Sequence, residues 1–337
     1  MAKVPSVVDL ARNQAQKVVS ALPSEGSEEI RQATRHLVRE LTAPPDREPH
    51  DLSPLSFEKN NIPTGLMEKV FFLSEDGQPV PGLLWLPRSP APPYRTVIVV
   101  DDRGKAAIAE SGMVEPLMER SFAVLSVDLR GRGETLGKSG AREDNNFHFA
   151  VHSVMWGQPA AGRRAFDLRR TVDFVQRRKD LSSDDLVVIG FGDEALTVLL
   201  AAVDDPRIKR VACAGYQSSF VSQMTAAKVS SRAELVRVWN PSAMKWGRLD
   251  NGRFKSDLGS VIPSVLLTAD IPDIASLVFP RKLLFCQVRD NGMPDSEQQQ
   301  SRFKRVLQAV NPNATDWAWY YPERQFDPEF LLNWLAR

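Results

Sequence analysis

The chain has 337 residues, 42% hydrophobic and 25% charged, an ordinary globular composition that excludes a disordered, collagenous or disulfide-dense protein. Lys+Arg (43) and Asp+Glu (42) balance to a net charge of +1, which leaves no electrostatic footprint for nucleic acid or an anionic membrane. Two cysteines and four histidines, without a C-x-x-C or H-E-x-x-H pattern, supply neither a disulfide framework nor a zinc site, and no cofactor is expected.

No run of 18 apolar residues occurs, so no membrane span is expected. The first residues, MAKVPSVVDLARNQAQKVV, lack the basic, apolar and small-residue regions of a signal peptide. The chain is expected to be soluble.

Apolar residues recur at helical spacing in VVDLARNQAQKVVSAL and IRQATRHLVREL, with Ser27 ahead of Glu28 and Glu29 as a helix start. Proline and charge break this pattern from Pro44 to Pro63, which reads as a linker or wrapping segment. Residues 1–66 are therefore expected to be a helical extension and linker, and 67–337 a domain.

From Met67 short β-rich runs alternate with helical patterns. EKVFFL and VPGLLWLP flank a D-G turn and predict a hairpin. RTVIVVDD (95–102) predicts a strand, 106–120 a helix, FAVLSVDLR (122–130) a strand and 165–179 an amphipathic helix. DLVVIG (185–190) predicts a strand followed by helix DEALTVLLAAV. IKRVACAG and RKLLFCQV predict strands around a long, cap-like insert at 216–280, and a helix, a strand and a final helix follow. The later strands are apolar throughout, as in a parallel sheet covered on both faces. Cys213 and Cys286 sit inside such runs and read as buried thiols.

The turn after DLVVIG carries the chemistry. Gly190-Phe191-Gly192-Asp193-Glu194-Ala195 matches G-x-G-x-x-A between a strand and a helix, the form of a dinucleotide fingerprint. That fingerprint wants an acid at the end of the next strand, which here ends RVACAGYQSS. GRGETLGKSG (131–140) approaches a P-loop, but Arg132 stands where the first glycine is required. A third reading is a strand-to-helix elbow, G-x-S-x-G in hydrolases, with Gly192 at the serine position.

Several stretches in order support that third reading: VIVVDDRGKAA, FAVLSVDLRGRGET, WGQPAAGRRAFDLRRTVDFV, IGFGDEALTVLLAAVDDPRIKRV and ADIPDIASLVFPRKLLF. From about Met67 to Arg337 the chain resembles α/β-hydrolases of the acetyl xylan esterase and prolyl oligopeptidase-like group. The resemblance implies an α/β-hydrolase fold, a mostly parallel central sheet with helices on both faces, here with an N-terminal helical extension. It implies an oxyanion loop at Asp102 and Arg103. It sets the nucleophile at Gly192, the acid at Asp290 and the histidine in YYPERQFDPE, at Gln325. Nucleophile and histidine are thus both replaced.

The chemistry agrees, because a serine or cysteine hydrolase needs a base beside its nucleophile, and His36, His50, His148 and His152 all precede Gly192. The resulting expectation is an esterase-like protein without ordinary serine hydrolase activity. It would serve a binding or structural role, toward a small ester or carbohydrate ligand or beside an active partner domain or subunit. A second reading is an active carboxylesterase with Asp193 as nucleophile and His148 or His152 as displaced base. A dinucleotide-binding module is the third.

Asp193 and Glu194 fit first-turn acids at a helix N-terminus. Asp290 fits a turn residue as well as a triad acid. Ser218 and Ser219 fit a helix start, and Trp317 and Trp319 fit strand packing. If the elbow survives, Gly192→Ser with Gln325→His should rebuild a triad with Asp290, and Glu194→Gly should relieve crowding there.

Overall fold

A computed structural model describes residues 7–22, 25–43, 51–136, 145–221, 239–240, 245–246, 258–288 and 296–337. Its strands are β1 (Leu55–Ile62), β2 (Gly65–Glu75), β3 (Gln78–Pro87), β4 (Tyr94–Asp101), β5 (Phe122–Val127), β6 (Leu181–Phe191) and β7 (Ile208–Ala214). A two-residue ribbon, β8 (Trp239–Asn240) and β9 (Lys245–Trp246), precedes β10 (Lys282–Cys286) and β11 (Ala318–Tyr321). The helices are α1 (Val7–Ser20), α2 (Glu28–Thr42), α3 (Lys105–Ala109), α4 (Val114–Glu119), α5 (Asn145–Met155), α6 (Ala160–Arg177), α7 (Glu194–Asp204), α8 (Ile271–Ser276), α9 (Ser296–Val310) and α10 (Pro328–Leu335).

Nine strands form one sheet in the order β1-β2-β3-β5-β4-β6-β7-β10-β11. β1, β2, β3 and β5 pair antiparallel in succession, and every pairing from β5 to β11 is parallel. Alternate residues of the apolar strands enter opposite layers, as the period-2 pleat requires. Ile98 and Val100 face α6, α7 and α9 through Leu168, Leu199 and Phe303. Val97 and Val99 face α3, α4 and α10 through Ile108, Leu117 and Trp334.

Cys213 pairs across to Phe285 and Cys286 to Ala214, so the two thiols lie one register step apart and in different layers. Both are buried, and burial pushes Cys213 well above the ordinary thiol range and Cys286 up to about 12. Trp317 and Trp319 are buried as well. The first meets Phe279 with ring centroids 5.1 Å apart, and the second meets Trp334 at 6.4 Å.

Three local expectations are corrected. The segment read as a linker up to Pro63 contains β1, whose side chains are almost all exposed and so carry no apolar alternation. A bulge between Phe57 and Lys59 interrupts its pairing with β2. There Glu58 takes φ 48°, Lys59 pairs with Glu68 at 3.0 Å, and Lys69 pairs with Glu58. The helix expected over 106–120 is two short helices separated at Glu110–Met113. The helix expected from 165 begins at Ala160, just after Pro159.

The N-terminal helices pack on the same layer as α6 and α7. Ser27 caps α2 by accepting from Ile30 N–H. Arg31 donates to the Ser276 carbonyl at 3.2 Å, and Thr42 donates to Asp204 at 3.0 Å. Among the described residues no helix is long and apolar enough to cross a membrane.

Candidate active site

The chain leaves β4 for β5 on one side and later enters β6 on the other, so β4 lies at the switch point of the sheet. Ligands of open α/β sheets bind in the crevice beyond the carboxyl ends of such strands. Two segments meet there: the loop 102–104 after β4, and the turn 192–193 after β6. Their strands are in register at Asp101 and Phe191.

The turn is a sharp elbow. β6 ends at Phe191, Gly192 takes φ 62°, and α7 begins at Glu194. A side chain is disfavoured at that φ. Gly192 N–H donates to the Ala214 carbonyl at 2.9 Å, which ties the turn to β7. At Gly190 a Cβ would lie 2.5 Å from the Glu194 carbonyl oxygen and 2.8 Å from Ala195 Cα, so glycine lets α7 fold back on its own strand.

Gln325 lies in the exposed loop between β11 and α10. Its neighbour Phe326 meets Phe191 edge-to-face, ring centroids 5.0 Å apart. The structure therefore brings the loop expected to carry the histidine against the elbow expected to carry the nucleophile. Asp290 lies outside the described residues, four positions past the end of β10.

The two acids after Gly192 have separate surroundings. Asp193 is buried and its backbone N–H donates to Asp102 Oδ2 at 3.1 Å. Glu194 is 1% exposed, and its Oε1 accepts from Arg132 Nε at 2.6 Å with Arg164 Nη1 at 3.7 Å. Both arginines are buried too. Glu194 is more than a helix-dipole partner: it fixes the turn after β5 and helix α6 to the start of α7. Sequence reading missed this cluster, and named Arg132 only as the residue that breaks the P-loop pattern.

The loop after β4, where the resemblance implies an oxyanion loop, is similarly built in. Asp101, buried, accepts from Arg103 N–H at 2.8 Å and from its guanidinium at 2.9 and 2.8 Å. This bond holds the Arg103 guanidinium above its ordinary pKa. Asp128 accepts from Lys105 N–H at 2.6 Å, Lys105 Nζ at 2.5 Å and Glu134 N–H at 2.9 Å. The loop is thus fastened at both ends by carboxylates.

The remaining candidates belong to α5 and to the segment after β7. His152 is on the exposed side of α5, stacked on Trp156 with ring centroids 5.7 Å apart, whereas Ala150 and Ser153 of that helix are buried. His148 belongs to α5, but its side chain is outside the described residues. Ser219 is buried, donates to Asp270 Oδ2 at 2.6 Å and accepts from Val221 N–H at 3.0 Å. It pins the start of the 216–280 segment to α8. Burial raises the Asp270 carboxyl above the ordinary range, against the pull of Arg302. Among the described residues no group of three or more His, Cys, Asp or Glu could hold a metal ion.

No family model matches this sequence, and no curated protein matches it. Solved structures match it in fold. A protein described as a putative acetyl xylan esterase, from Bacteroides fragilis, aligns with a TM-score of 0.65 at 13% identity, over 97% of this chain and 85% of that one. A glucuronoyl esterase from Solibacter usitatus aligns with a TM-score of 0.56 at 14% identity, over 99% and 94%. An acetyl xylan esterase from Paenibacillus sp. R4 gives 0.54 at 14% identity, over 95% and 97%. Strand order, elbow and structural neighbours agree: this chain has the α/β-hydrolase fold that these carbohydrate esterases share.

Proposed function

We propose that this protein is an esterase-like member of the fold without serine-hydrolase chemistry, and that its crevice serves to bind a small ester or carbohydrate ligand. The carrying observation is the elbow itself. Its apex is Gly192 at φ 62°, and the loop packed against it presents Gln325. Losing the serine or the histidine of a serine protease lowers turnover on the order of a million-fold, and here both positions lack the required group. A structural role beside an active partner domain or subunit is compatible with the same site.

The rival carboxylesterase would need Asp193 as nucleophile and a base at His148 or His152. Asp193 is buried at the start of α7, and the His152 ring is on an exposed helix face. The dinucleotide reading needs amides at the start of α7 for a pyrophosphate, yet Asp193 N–H already meets a carboxylate.

Turnover of p-nitrophenyl acetate by the purified chain tests the proposal. The expected rate is the buffer background. Ordinary enzymatic turnover, on the order of 1–1,000 per second, abolished by Asp193→Asn, would establish the rival. Saturable binding of an acetylated xylo-oligosaccharide by calorimetry would support the ligand role, and binding of NAD instead would overturn it.

A further inference from the structure

In a hydrolase elbow, the N–H of the residue after the nucleophile and an N–H from the loop after the neighbouring strand hold the developing oxyanion. In this chain those positions fall on Asp193 and on the 102–104 loop. Asp193 N–H donates to Asp102 Oδ2 at 3.1 Å, and Arg103 N–H donates to Asp101 Oδ1 at 2.8 Å. Gly104 N–H donates to the Asp101 carbonyl at 2.9 Å.

We infer that Asp102 is a built-in plug, a contact in which the chain's own carboxylate takes the place an acyl oxygen would occupy on Asp193 N–H. A charged acceptor on a backbone N–H at a helix start is a strong contact, because the charge strengthens the bond and the helix dipole favours it. The plug is also tethered. Register between Asp101 and Phe191 sets the loop beside the elbow. Arg103 clamps bidentately on Asp101 behind it, and Lys105 N–H is held by Asp128 ahead of it. An incoming acyl oxygen must displace a neighbour whose local concentration is fixed by these bonds. The same carboxylate repels the negative charge that acyl transfer would develop. The inference deepens the proposed function and rests on the elbow being the ancestral reaction centre, but its test reads one amide rather than turnover.

That test is hydrogen exchange at the Asp193 amide in the full chain, by NMR, for wild type, Asp102→Asn and Asp102→Ala. Wild type should be protected. Asn keeps a neutral oxygen in place, so protection should fall only in part. Ala should speed exchange at Asp193 at least tenfold while Val97–Val100 amides keep wild-type protection. Equal exchange at Asp193 in wild type and Asp102→Ala overturns the inference. If Asp102→Ala also loosens Val97–Val100, Asp102→Ser, which shortens the side chain but keeps it polar, decides by the same criterion. A second arm uses a fluorophosphonate label on Gly192→Ser/Gln325→His. Adding Asp102→Ala should accelerate labelling at least tenfold, and Asp102→Asn should do so less. Faster Asp193 exchange without faster labelling would leave the contact real and overturn its blocking role.

Discussion

Removing the Glu194 carboxylate tests how the elbow is held. Glu194 is 1% exposed, Arg132 5% and Arg164 1%, so Glu194→Ala leaves two guanidinium groups in the interior facing a void. Breaking a buried pair from one side costs about 3–5 kcal/mol, because the surviving charge stays desolvated without its counter-charge. A chain of this length has an unfolding entropy of roughly 0.7 kcal/mol/K at its midpoint. The loss should therefore appear as a fall in Tm of about 4–7 °C by calorimetry. Glu194→Gln keeps an acceptor for Arg132 Nε and should lose roughly half as much. Pairing Glu194→Leu with Arg132→Met should recover part of the single-mutant loss, a coupling that a double-mutant cycle measures. A Tm for Glu194→Ala within about 1 °C of wild type would refute the reasoning. The result also bears on triad restoration, since Glu194→Gly, expected from sequence to relieve crowding, should lower the folded yield instead.

Gly190→Ala should destabilise by about 1–3 kcal/mol, read as a lower urea midpoint, because its Cβ meets backbone of Glu194 and Ala195. The native thiols should resist Ellman's reagent and both react in denaturant, since Cys213 and Cys286 are buried and their thiolates disfavoured. Arg178 holds Asp180 below the ordinary carboxylate range. Burial pushes Glu68 the other way, but Arg178, Lys59 and Ser56 outweigh it and lower Glu68 too. Carboxylates depressed in the folded state stabilise it above their unfolded pKa, and that stability is lost as pH falls through the folded value. Arg178→Met should thus lower Tm at neutral pH and flatten its decline between about pH 5 and pH 3, followed by a Tm series.

What could be read in advance follows from what burial does to composition. β4, β6 and β7 sit mid-sheet with helices on both faces, so their buried runs (97–100, 186–189 and 211–214) are continuously apolar, whereas the polar start of β6, Ser182–Asp185, is only partly buried and lay largely outside the strand read from sequence. β1 lies at the edge, and LSFEKNNI reads as loop because nothing compels it to be apolar. The split between α3 and α4 hides in a run whose apolar residues keep helical spacing through Ser111 and Gly112. At the site, the elbow was legible because strand, glycines and helix are contiguous. The Glu194–Arg132–Arg164 cluster and the contact of Asp102 with Asp193 join residues 30 to 91 positions apart. Such pairs leave no periodic trace and depend on where the sheet brings its loops.

The outermost strand governs how the protein meets its neighbours in a crowded solution. A flat, apolar sheet edge is a template on which another chain can crystallise as an added strand. β1 instead bends at its bulge, and its Glu58 and Lys59 are each committed to a partner on the same ribbon. Unlimited edge-to-edge stacking would have to straighten the bulge and strip those charges of their partners. Polymerisation through this margin is thereby discouraged by the strand itself.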